Sequence, residues 1–138
     1  MNNEAKMGHD MRALIADHME AGFLENIIDM FLHDPGLYNL VGELIQDERV
    51  RVRVGVTAMM EDLAARDRAN VVRAVPHLLP LLDHPEAVVR GDASNLLGIA
   101  GDPVAVPLLR KVLDDADRNV RLIAREAIEE ITLRKRRD

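Results

Sequence analysis

Apolar residues return along this chain at steps of three and four, the period of a helix with one buried face. The stripe reads Val52, Val56, Met59, Met60, Leu63, then Val89, Ala93, Leu96, Leu97, Ala100, then Val120, Ala124, Ala127, Ile128, Ile131. One stretch runs against it. "DERVRVRVGV" (47–56) alternates valine with arginine, which taken alone marks a half-wet β-strand. The stripe through Val52 and Val56 continues into Met60 and Leu63, so the alternation predicts the first turns of a helix and no strand.

The stripes are copies of one another. Residues from 83 align with those from 114 at an offset of 31, placing Asp83 on Asp114, Val89-Arg90 on Val120-Arg121 and Ala93 on Ala124. "VPHLLPLL" (75–82) falls on "VPLLRKVL" (106–113) at the same offset. Upstream, Val52-Arg53 falls on Val89-Arg90 at an offset of 37, and the six extra residues are assigned to an inter-helix loop within "EDLAARDRAN". Each unit is predicted as helix, loop, helix. The first helix follows an acidic turn ("DHPE", "DDADRN") in which Asp caps or favours the N-terminus. The second follows Gly101-Asp102-Pro103, which supply a stop, an N-cap and a first-turn proline. It is apolar at Ala74, Val75, Leu78, Leu81 and Leu82, and again at Ala105, Val106, Leu109, Val112 and Leu113.

Here the residues carry a resemblance. "GDPVAVPLLRKVLDDADRNVRLIAREAIEEI" (101–131) resembles a HEAT-type repeat of the short variety called the PBS-lyase HEAT-like repeat. The shared features are Gly-Asp-Pro, Ala-Val-Pro-x-Leu, the Asp-rich turn, and Val-Arg followed by Ala three residues on. The likeness is closest over 83–131, continues over 47–82 and fades before residue 47. It implies an all-α fold, an α-solenoid of stacked helical hairpins whose second helices line the concave side, and a recognition scaffold more often than a catalyst. Residues 1–138 are then one domain: 1–46 an atypical N-terminal cap and degenerate repeat, 47–82 and 83–113 repeats, 114–138 a final half repeat with a basic tail. Within the cap, Met7, Met11, Leu14, Ile15, His18 and Met19 form one stripe, and Phe23, Leu24, Ile27, Ile28 and Phe31 another. After the "HDPG" break (33–36), Leu37, Leu40, Val41, Leu44 and Ile45 make a third helix.

Composition agrees with packed helices. Aromatic residues are 2% of the chain, so the core is built from Leu, Val, Ile, Ala and Met. The absence of cysteine excludes disulfides, zinc–thiolate sites and thiol catalysis. Nothing in the opening residues reads as a secretory signal and no apolar run reaches membrane-span length, so a cytoplasmic location and no membrane contact are expected. The net charge of −6 is unevenly placed: residues 1–48 carry ten acids against Lys6 and Arg12. No nucleophile elbow, P-loop, dinucleotide or metalloprotease motif is present, and the single serine, Ser94, has no base near it in sequence. The five histidines (9, 18, 33, 77 and 84) lack metal-ligand spacing, and "DDAD" (114–117) lacks that of a calcium loop. No catalytic, cofactor or metal residue is therefore assigned.

Arg53, Arg90 and Arg121 recur at one point of each unit and are expected to pair with acidic turn residues along the stack. The basic tail "RKRR" (134–137) is read as compensating its helix dipole. The outward stripe of the second helix holds Arg73 and His77 in one unit but Val104, Leu108 and Lys111 in the next. An apolar centre at Val104 and Leu108 ringed by Arg73, His77, Arg110 and Lys111 is the candidate surface for a protein partner. Two other roles compete with a non-catalytic scaffold: accessory subunit of a heteromeric bilin-lyase-like enzyme, and phosphate or nucleic-acid binding. A chain without tryptophan and with net negative charge disfavours the last. Homodimerisation through the Met-rich N-terminal helix is the remaining partner reading.

Overall fold

The computed structural model describes the backbone of residues 3–137 and the side chains of residues 6–136. The chain folds as α1 (Asn3–Glu20), α2 (Leu24–His33), α3 (Val41–Leu44), α4 (Val50–Arg66), α5 (Arg68–Val71), α6 (Val75–Leu78), α7 (Ala87–Ala100), α8 (Val106–Val112) and α9 (Arg118–Arg137), with short 3₁₀ turns between them. No strand forms among the described residues. The arginine–valine alternation lies where expected, on the first turns of α4, because Val52 and Val56 drop into the core with Met59, Met60 and Leu63. The matching positions of α7 and α9 are buried as well, Ile128 only in part. The fold is an all-α helical repeat, a solenoid of stacked hairpins.

The second helices depart from the sequence expectation. Residues 68–83 are α5, a 3₁₀ turn, α6 and a further 3₁₀ turn, not one helix. Pro76 and Pro80 stand four apart, and each removes an amide that a continuous α-helix needs, so the segment tightens into 3₁₀ turns on either side. Pro103 does the same at the front of α8. The six extra residues of the 47–82 unit are also not a loop. They extend α4 to Arg66 and form α5, with Asp67 alone breaking the run. Ala64 and Ala65 continue a helix at lower cost than they would order a loop.

The cap divides its apolar residues between two faces. Ile15, Ala16 and Met19 are buried, while Met7, Met11 and Leu14, expected on the same stripe, face solvent. Met19 sits directly against Gly55 of α4, a contact that a side chain at 55 would block. Phe23 is exposed against the expectation, but Ile27, Ile28 and Phe31 are buried, and Phe31 meets Tyr38 edge to face at 5.2 Å. The third cap helix is a 3₁₀ turn, Pro35–Leu40, running into α3. Along the stack, α1 packs on α2, α3 and α4, whereas α9 packs on α7 and α8, so these two helices close opposite ends.

Candidate partner-binding surface

The turn before each first helix is built the same way three times. The side chains of Asp47, His84 and Asp115 accept a hydrogen bond from the backbone N–H two residues on, at 2.9, 3.0 and 2.9 Å. Arg53, Arg90 and Arg121 then fold back and donate Nη1 to two backbone carbonyls of that turn: Asp47 and Glu48, His84 and Pro85, Asp115 and Ala116. Each arginine thus closes its own turn before it does anything else. Arg90 goes further and grips Asp115 of the next unit, while Arg53 reaches Asp92 at 3.7 Å. The capping expectation is met by a side-chain bond only before α9. Asp117 accepts from the Val120 N–H at 3.1 Å, but Glu86 makes no side-chain cap to α7 and Arg49 none to α4.

Gly101 takes φ +76° and donates to the Leu97 carbonyl, ending α7, and Asp102 accepts from the Val104 N–H, so this predicted corner is present. The basic tail does more than offset its own dipole. Arg134 crosses Gly101 and donates to the Ile99 carbonyl at 2.8 Å, capping the neighbouring helix α7. Lys135 and Arg136 are exposed; the Arg137 side chain and Asp138 lie outside the described residues.

All six residues assigned to the partner surface are exposed, with Val104 at 59% and Leu108 at 36%. They do not form one ring. Leu108 and Lys111 share a groove with Leu79 and Leu82, bounded by Asp83 and Asp115. Arg110 is turned the other way, into a separate groove with Val106, Pro107, Thr132 and Lys135. Arg73 donates to Asn70 at 3.1 Å within its own segment. The His77 backbone carbonyl abuts Gly42 of α3, and its side chain is exposed.

A larger groove was missed. Between α4 and α7, Val50, Val54 and Val88 stand exposed around Arg53 and Asp92, enclosing about 440 Å³. Burial pushes the Asp92 carboxyl up, and the positive charge of Arg53 opposes that in part. Its signal was present in "RVRVRV": three alternate valines cannot all face one side of a helix, so Val50 and Val54 had to point away from Val52 and Val56.

Ser94 is fully buried and its Oγ donates to the Arg90 carbonyl at 2.9 Å, a bond within its own helix. The Nδ1 atoms of His18 and His33 sit 3.0 and 2.7 Å from backbone carbonyls one turn earlier. Among the described residues no three His, Asp or Glu side chains are grouped to hold a metal ion, and no helix is long and apolar enough to cross a membrane. Residues 37–129 match the family model described as HEAT repeats, which leaves α1 and α2 outside the matched region. No curated protein matches the chain.

Proposed function

Because the chain belongs to the HEAT-repeat family, we propose that it is a non-catalytic scaffold that binds a protein partner on its second-helix side. The observation that carries this reading is the exposure of Val104 and Leu108 where the preceding unit holds Arg73 and His77. Leu108 in the Leu79–Leu82 groove, with exposed Val104 one turn earlier in the chain, offers an apolar anchor, and burying the two against a partner supplies about 1.5–3 kcal/mol each. Lys111 at the rim favours a partner segment that is apolar on one side and acidic at its edge. Arg110, facing α9, takes no part in this surface.

The short unit, with Val-Arg at a fixed point of each copy and Gly101-Asp102-Pro103 before one second helix, supports the PBS-lyase HEAT-like type within the family. The reading is tested by retaining partners from the native host on immobilised protein. Val104→Asp with Leu108→Asp is expected to abolish retention while leaving the helical circular dichroism unchanged. Retention of the same partners by the variant overturns it.

A further inference from the structure

Helix α1 presents Met7, Met11 and Leu14 to solvent at steps of four and three, and the adjoining face, Ile15, Ala16 and Met19, takes the core. The row continues through His18, whose ring lies 5.9 Å from exposed Phe23. Met7 is 68% exposed, and nothing among the described residues covers the row. Its charged flank carries Asp10 with Lys6, and Asp17, whose Oδ1 already accepts from Arg49 at 2.9 Å, on the strongly acidic third of the chain.

The far end of the stack has the opposite character. Along α9, Arg118, Arg121, Arg125, Ile128, Thr132 and Lys135 recur at steps of three and four, a flank with four cations, bordered by one exposed acid, Glu129, a turn after Arg125. Its last members line the groove between α8 and α9, about 370 Å³ in volume, whose apolar floor is Val106, Pro107 and Ile131 and whose other cation is Arg110. Two acids of the same helix, Glu126 and Glu130, lie on the side facing α7. Arg121 is tied to its own turn and Arg125 lies outside the groove lining, which leaves Arg110 and Lys135 to face an acidic helix laid in the groove.

We propose that copies of this chain associate head to tail, the Met7–Met11–Leu14 row of one copy seating in the α8–α9 groove of the next. The row supplies apolar knobs for an apolar floor, and Asp10 meets the Arg110 and Lys135 cations of the rim. Two different surfaces make the contact, so it is heterologous, and an assembly of any length keeps one free row at one end and one free groove at the other.

Light scattering on the purified full chain, over a concentration series at low and high salt, tests this. The mean mass is expected to climb past that of a dimer with concentration and to fall at high salt. Met11→Asp with Leu14→Asp destroys the row, and Arg110→Glu with Lys135→Glu destroys the groove; circular dichroism confirms that both variants fold. Each variant alone is expected to stay monomeric, and the two mixed to form a dimer and nothing larger, because one intact row then meets one intact groove. A wild-type chain that stays monomeric throughout overturns the proposal. So does a dimer that the groove variant leaves intact, which would mean that two copies of α1 pair with each other. Mixed variants that stay monomeric overturn it as well.

Discussion

Arg90 grips Asp115 through two parallel bonds, Nε to Oδ2 at 2.8 Å and Nη2 to Oδ1 at 3.0 Å, while its Nη1 holds the two carbonyls of its own turn. One guanidinium thereby fastens the start of α7 to the turn that starts α9. Two aligned bonds to a carboxylate are more directional than a single ion pair, which suits a joint between units.

The joint carries a pH signature. The Arg90 guanidinium holds the Asp115 carboxyl below the usual carboxylate range, so folding favours the ionised form. Its contribution is complete at neutral pH and is lost as the pH falls from about 4 through the lower folded-state value. Asp115→Asn is expected to melt a few degrees below wild type at neutral pH, with the gap closing in acid. Thermal melts of both proteins across an acid series check it, and a gap that stays constant refutes it.

Gly98 and Gly8 predict opposite outcomes for the same substitution. A methyl group on Gly98 would lie 2.9 Å from both Cα and Cβ of Ala127, so α7 and α9 would have to separate. Gly98→Ala is expected to cost about 1–3 kcal/mol in spite of its better helix propensity. At Gly8 a methyl group meets nothing within 4 Å, and Gly8→Ala is expected to stabilise by about 0.5–1 kcal/mol. Urea titration of the two variants reads both signs.

Tyr38 offers an optical probe of the cap. Its buried hydroxyl donates to Asp67 Oδ2 at 2.8 Å, and Oδ1 of the same carboxylate accepts from Asn70. Burial first, then the bond to Asp67 and its negative charge, push the phenol well above its ordinary value of about 10. A raised folded-state pKa means stability held below about 10 and lost as the pH climbs toward that higher value. As the only tyrosine in a chain without tryptophan, it is expected to show tyrosinate absorbance in step with loss of helicity. Ionisation near pH 10 in a chain that is still helical would contradict this. Tyr38→Phe is expected to cost about 1–2 kcal/mol.

The tail arginines are predicted to differ. Arg134→Ala removes the donor that caps Ile99 and is expected to cost about 1 kcal/mol, whereas Arg136→Ala, at an exposed position, is expected to be neutral. Paired denaturation curves distinguish them, and equal midpoints would mean that the cap is not formed.

The period of apolar residues was enough, without coordinates, to place α4, α7 and α9, their buried faces and the repeat relating them. Those are local properties, since a helix's buried stripe is written in its own spacing. The Gly101-Asp102-Pro103 corner was legible for the same reason, as was the exposure of Val104 and Leu108. Packing decided the rest. The apolar stripe of helix α1 is broader than the core can cover, so spacing could not say which edge of it stays in water, and the fit of Met19 against Gly55 chose. Arg110 and Leu108 stand two residues apart, and only the position of α9 sends one toward it and leaves the other in the Leu79–Leu82 groove. Arg134 became a cap because α7 ends beneath it. In each case the deciding partner lies far away in the chain, and only the folded chain brings it near.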